Sequence, residues 1–169
     1  MTAETLTATR AASTFPVFKA TGSGAVSAAY GTYAVAANVE DGDIFEMCRV
    51  PAGAVILMGL VYAADLDTGT EALDMDVGWA ANGGSGTYDS ADPDGLGNLG
   101  VWTGDPSATS PNVSNLSAET GTVMLLSGKF ADGVFPVFTE ETVIQVEANA
   151  PANSFTAGSL SVVVFYVVP

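Results

Sequence analysis

The chain has 169 residues, 48% of them apolar and only 14% charged, and its 19 acidic against 4 basic residues leave a net charge of −15. This length suits one domain with a sizeable core, and so apolar a composition argues against a disordered chain. So few cations argue against binding to the outside of a nucleic-acid duplex or to an anionic membrane, because phosphate contacts need Lys and Arg in number.

Residues 1–25 read as an N-terminal arm, rich in Ala, Thr, Ser and Gly and ending in "KATGSGA". Arg10 and Lys19 against Glu4 give it a net +1, while the rest of the chain carries −16. "FPVF", from Phe15 to Phe18, offers it an apolar anchor for docking on a neighbour. The start "MTAETLTATRAASTFPVF" lacks the basic segment and apolar run of a secretory signal, and the longest apolar runs are shorter than the roughly 20 residues of a membrane helix. A soluble protein made in a cytoplasm is expected.

From residue 26 to 169 the chain reads as a single domain of successive strands, each bounded by Gly, Pro, Asp or Asn. "AAYGTYAVAANV" runs into the turn "EDGD"; "IFEMCRV" runs into "PAG"; "AVILMGLVYAA" runs into "DLDTGT". In "EALDMDVGW" the residues Leu73, Met75, Val77 and Trp79 share one face and Asp74 and Asp76 the other, the pattern of an edge-type strand with one side in solvent. A long loop insertion is expected at 82–121, with a short helical turn at most near Asp92–Pro93. "TVMLLSGKF", "GVFPVFT", "TVIQVEANA" and "SLSVVVFYVV" complete the series. About eight strands with almost no helical period predict an all-β fold, an antiparallel β-sandwich of jelly-roll type with an extended N-terminal arm.

Two strands are apolar on both faces. In one, Ala54, Ile56, Met58, Leu60 and Tyr62 alternate with Val55, Leu57, Gly59, Val61 and Ala63; in the other, Leu160, Val162, Val164 and Tyr166 alternate with Val163, Phe165 and Val167. A two-layer sandwich buries one face of each strand, so the second apolar face calls for a covering loop or arm, or for a subunit interface.

The residues that carry chemistry are sparse. There is no histidine, which removes the commonest general base and every Ser-His-Asp or Cys-His scheme. The lone Cys48 rules out an intramolecular disulfide or a cysteine-rich zinc site, and within "DIFEMCRV" it reads as a small buried hydrophobe. Paired carboxylates remain: Asp65 with Asp67 and Asp74 with Asp76 are the candidates for a hard cation. The competing reading makes Asp65 and Asp67 turn formers bonded to the backbone near Thr68 and Gly69, and Asp74 and Asp76 a solvated strand face. "DPDGLGN" lacks the ligand spacing of a calcium loop, and "NGGSGTY" lacks the Lys and helix of a nucleotide loop. No enzyme and no cofactor is expected.

The order "VPAGAVI", "DLDTGT", "LDMDVGWA" and then an Asp- and Gly-rich insertion, over roughly Glu40 to Asp94, resembles that of small all-β head proteins of tailed bacteriophages, similar to capsid decoration or cement proteins. The resemblance implies a structural virion protein on the outer surface of the head, a homotrimer that binds the major capsid protein and stabilises the shell by bridging its subunits. Under it Ile56, Met58, Leu60, Tyr62, Val162, Val164 and Tyr166 serve packing between or within subunits. Arg10, Phe15, Phe18 and Lys19 dock on the capsid. The alternative is a head-fibre base or tail-associated module whose insertion, with Tyr88 and Trp102, binds a host glycan.

Overall fold

The computed structural model describes residues 3–17, 25–68, 72–101, 122–125 and 133–169. Phe18 and Lys19, Trp102 and the 102–121 part of the expected insertion lie outside the described residues.

Among the described residues nine strands follow in chain order: β1 (Thr5–Thr7), β2 (Ser27–Val35), β3 (Ile44–Val50), β4 (Val55–Ala63), β5 (Asp74–Trp79), β6 (Asp92–Val101), β7 (Thr122–Leu125), β8 (Thr142–Ala150) and β9 (Gly158–Val167). They form a five-stranded sheet, β1-β3-β8-β5-β6, and a four-stranded sheet, β2-β9-β4-β7. Leaving β1 aside, the first strand pairs with the last and the pairs nest inward: β2 with β9, β3 with β8, β4 with β7 and β5 with β6. Every one of these ladders is antiparallel, and a nested set of eight strands split between two sheets is the jelly roll. The all-β sandwich expected from the turn spacing is therefore what the chain forms.

Two of the sequence's turn signals act through backbone geometry. Gly42 in "EDGD" and Gly53 in "PAG" take φ of 83° and 80°, a left-handed conformation that a Cβ disfavours. The first turn is fastened by Asp43, whose carboxylate accepts from the backbone N–H of Glu40 and of Glu4.

The core fills the space between the sheets. Phe45, Met75, Val77, Trp79, Ile144 and Val146 come from the five-stranded side; Ile56, Val61, Leu160, Val162, Val164 and Tyr166 come from the other. Phe138 completes it from the segment before β8, its ring edge-on to Trp79 at 5.2 Å between centroids. Tyr33 meets Phe45 in the same way at 5.5 Å.

Bulges change what strict alternation predicted. In β4 the register with β9 slips between Ile56 and Met58, so Leu57 is the extra residue. Ile56 therefore points inward, while Met58, Leu60 and Tyr62 point outward, and the expectation of one face shared by Ile56, Met58, Leu60 and Tyr62 is corrected. A second slip, between Glu46 and Cys48, lets the neighbours Met47 and Cys48 both enter the core. Val162, Val164 and Tyr166 of β9 are likewise core residues, and its outward set is Ser161, Val163 and Phe165.

Three further expectations change. β5 is not an edge strand, since β8 and β6 flank it. Residues 92–101, expected inside a loop insertion, form β6. Their glycines oppose a helix for a packing reason: a Cβ on Gly95 would overlap the Trp79 ring, and Leu96 beside it is fully buried. Third, the stretch read as an arm starts with β1, which extends β3 in parallel from Thr5↔Ile44 to Thr7↔Glu46. Ala8 and Ala11 then bury themselves against the same chain.

At Gly31 the two sheets approach closely, since a Cβ there would overlap the Met47 carbonyl across the sandwich. Backbone has no rotamer to yield, so Gly31→Ala should destabilise the fold by about 3 kcal/mol, the upper part of the overpacking range. Thermal or urea unfolding measures this; a change below about 1 kcal/mol would show that the sheets separate freely at this point.

Candidate interaction surface

The outer faces of the two sheets differ in kind. On the five-stranded sheet the outward positions include Glu46 and Arg49 of β3, Asp74 and Asp76 of β5, and Gln145, Glu147 and Asn149 of β8. On the four-stranded sheet no residue of β2, β4, β7 or β9 is charged at all. Outward from β2, β9 and β4 stand Tyr30 and Thr32, Val163 and Phe165, and Met58, Leu60 and Tyr62. Tyr30 is 49% and Met58 41% exposed. A shallow groove of about 310 Å³ runs across this face between Tyr30, Thr32, Leu60, Tyr62, Ser161 and Val163. Its one internal polar link is Thr32 Oγ1 to Ser161 Oγ at 2.9 Å.

This pattern follows from the sequence. A strand with apolar side chains on both faces, placed centrally in a sheet, sends one set to the core and leaves the other outside. In β9 the inward set is apolar and the outward set, Ser161 apart, is led by Val163 and Phe165, to which β2 and β4 add Tyr30, Met58, Leu60 and Tyr62. Of the two covers considered from the sequence, the described part of the arm does not extend over this face; it stays at the margin, beside β2.

At that margin Arg10 lies flat on Tyr30, its guanidinium carbon 3.8 Å from the ring centroid and its Nη2 donating to Tyr30 Oη at 2.6 Å. Phe15 covers it at 5.0 Å. Stacking of this kind holds a cation in place and contributes about 0.5–1 kcal/mol per ring at an exposed site. Among the expected docking residues, Arg10 and Phe15 are thus brought together against the chain's own β2. Beneath them the Cys48 thiol is pushed up to about 12 by burial, with the Arg10 charge pulling the other way, so it stays a neutral thiol at ordinary pH.

Of the candidate carboxylate pairs, Asp74 and Asp76 share Asn149 as a hydrogen-bond partner, while Asp65 and Asp67 differ in burial. Asp65 is exposed and Asp67 buried, so they do not form an exposed pair. Asp67 is a structural hub: Oδ2 accepts from the N–H of Ala72 and Leu73 at 2.6 and 3.0 Å, and Oδ1 from the N–H of Ser154 at 2.6 Å. Burial opposes its charge, but backbone donors, Ala72 foremost, outweigh burial and hold the carboxyl below the usual range. Thr68 adds a backbone pair to Ser154, so the end of "DLDTGT" ties the β4–β5 connection to the β8–β9 connection. The turn-forming reading of Asp67 is the one the geometry favours, with partners at 72–73 and 153–154.

Asp76, expected on a solvated face, is buried and accepts from Asn149 Nδ2 at 2.6 Å. Burial raises the Asp74 carboxyl, against a lowering by Asn149. No group of three or more potential ligands able to hold a metal ion occurs among the described residues.

Asp89 is a second hub, and nothing in the sequence singled it out. Its oxygens accept from Thr139 Oγ1, Asn82 Nδ2, Thr139 N–H and Gly86 N–H, binding the turn after β5 to the segment before β8. Thr139 is 50 residues away, so only the fold brings the partners together. Thr139 and Asn82 first, then the backbone donors, keep the Asp89 carboxyl far below its ordinary value against the cost of burial. Tyr88 beside it packs edge-on to Trp79 at 6.2 Å, which makes it an anchor for this turn.

The class defined by these observations is an eight-stranded jelly roll with an added edge strand, one polar acidic face and one uncharged apolar face. Among solved structures the chain is similar in fold to a chain of the capsid of Ralstonia phage GP4, with a TM-score of 0.70 and 20% identity over 98% of each chain. It is also similar to a chain of the cyanophage Pam1 capsid asymmetric unit, with a TM-score of 0.55 and 20% identity over 94% of this chain and 97% of that one. No family model matches the chain, and no curated protein matches it in sequence. The likeness is one of fold, and it runs over nearly the whole length of both chains.

Asp67 and Asp89 hold their protons less readily in the folded chain than in the unfolded one, so their contribution to stability is complete above about pH 4, the unfolded value, and fades as pH falls below it toward their folded values. Asp74 acts in the opposite direction, its ionisation costing stability as pH rises through its raised value. The melting temperature of the wild type should therefore fall steadily below pH 4, and Asp89→Asn should be less stable at pH 7 but flatter across the acid range. Asp67→Ala leaves buried N–H groups without an acceptor and should cost about 2 kcal/mol or more. Calorimetry between pH 2.5 and 7 checks all three; equal acid slopes in wild type and Asp89→Asn would remove Asp89 from the account.

Proposed function

We propose that the chain is a capsid decoration protein of a tailed bacteriophage, a structural component that binds the outer surface of the head and stabilises it by bridging major capsid protein subunits. The observation that carries this reading is the outer face of β2-β9-β4-β7, free of charge on a chain whose net charge is −15. The likeness in fold to chains from two phage capsids supports the setting.

The physical logic is a division of labour between faces. Apolar side chains gain about 25 cal/mol for each Å² removed from water, so an uncharged sheet face contributes where it is covered. Acidic side chains on the opposite face keep a densely covered shell soluble and prevent shells from adhering to one another.

Area sets the number of contacts needed. Three strands of nine or ten residues, about 30 Å long, and the four-residue β7, spaced at about 4.8 Å, present roughly 500 Å², against about 800 Å² per partner in a standard stable interface. A second contact is therefore needed, and a homotrimer, in which each copy grips both a sister copy and the shell, supplies it through avidity. Arg10 and Phe15, at the margin of the face, extend the contact area. The role is one of binding, without catalysis.

Purified protein added to phage heads that lack it should sediment with them in a fixed ratio to the major capsid protein. Leu60→Asp places a charge on the outer face without entering the core, so it should fold with a nearly unchanged melting temperature and bind heads at least about tenfold more weakly. Absence of head binding by the wild type, or equal binding by Leu60→Asp, would contradict the proposal.

A further inference from the structure

We propose that the open edge of β2 receives an extended segment of a shell subunit as an added strand, which deepens the shell-binding reading above and rests on it. Four strands stand at sheet edges: β1 and β6 in one sheet, β2 and β7 in the other. An edge presents unpaired backbone N–H and C=O groups, and proteins protect such edges by shortness, charge, proline or bulges. β1 has three residues and β7 four. β6 carries Asp92, Pro93 and Asp94, and its register with β5 shifts twice. β2 has none of these devices. Its nine residues, "SAAYGTYAV", include no charge and no proline, and they pair with β9 without a bulge.

The backbone of β2 therefore has a second side to satisfy. Alternate residues of an edge strand turn both N–H and C=O away from the strand they pair with. Among the described residues β9 is the one ladder partner of β2, and no other backbone hydrogen bond reaches it. Arg10 and residues Phe15 to Val17 border its first half, around Ala28 to Tyr30, without closing the ladder there. The second half, Gly31 to Val35, stays open: Thr32 and Ala34 are exposed, and Tyr33 is half-buried although it points inward. Five residues are an ordinary strand length.

Symmetry and charge select the occupant. Two β2 edges that pair with one another form a twofold contact, which makes a dimer, whereas the homotrimer of the reading above joins two different surfaces. Among the described residues a sister copy offers no other long, unprotected edge, so the added strand comes from the shell. A net charge of −15 favours a segment that is uncharged or basic. The small exposed side chains of Ala28, Thr32 and Ala34 leave room beside them for β-branched or aromatic residues at alternate positions.

Amide hydrogen exchange of the full chain, free and bound to phage heads that lack it, tests this when read at single residues. In the free chain alternate amides of residues 31–35 should exchange fast, and head binding should slow that set by about a hundredfold or more. Ala34→Lys puts a charge on the edge and should fold as the wild type does, yet bind heads at least about tenfold more weakly; Ala34→Val should bind as the wild type does. Head binding that leaves the fast amides of β2 unchanged, or that is equal in Ala34→Lys, overturns the inference and leaves the shell reading standing. Slowing of the same amides in the free chain as its concentration rises puts a second copy at the edge and also overturns it. Absence of head binding by the wild type removes the shell reading and this inference with it.

Discussion

Strand β9 sits between β2 and β4 with apolar side chains on both of its faces, and the rest of the molecule is arranged around that constraint. One face is satisfied inside the sandwich, where Leu160, Val162, Val164 and Tyr166 meet the five-stranded sheet. The other lies outside that interior, because a two-layer sandwich has only one. Its neighbours do not dilute it. β2 runs beside β9 through nine unbroken residue pairs, and the bulge in β4 turns Met58, Leu60 and Tyr62 to the same outer side.

Charge placement follows the same division. The charged strand residues lie in β3, β5, β6 and β8, all in the five-stranded sheet, and the four-stranded sheet has none. Buried carboxylates are used as fasteners: Asp67 and Asp89 each gather several donors from segments far apart in sequence, locking the loops at the ends of the sandwich. A rigid frame of this kind presents the uncharged face with little reorganisation on contact, which lowers the entropy cost of binding. Arg10, held between two rings at the edge of that face, extends the same preparation to a polar contact.

Much of the fold was legible in the sequence because turn chemistry is local. "EDGD" and "PAG" announce backbone positions that favour glycine, and the alternation of Leu73, Met75, Val77 and Trp79 gives the inward face of β5 correctly. The doubly apolar strands were also visible, and with them the existence of an apolar outer face. What was not legible depends on long-range register. A bulge adds one residue and reverses every side chain after it, so the outward set of β4 could not be read by counting. β6 was hidden because its glycines, which signal a loop in isolation, are there to admit the Trp79 ring. Asp89 was missed because its principal partner, Thr139, is brought to it only by the closing of the sandwich.

The measurement that bears most directly on the central claim is hydroxyl-radical footprinting of the protein free and bound to phage heads, read residue by residue. Covering of the uncharged sheet predicts strong protection of Met58, Tyr62 and Phe165 on binding, with the reactivity of Val143 on the five-stranded face unchanged. Protection confined to the five-stranded face, or none on the four-stranded one, would contradict the account.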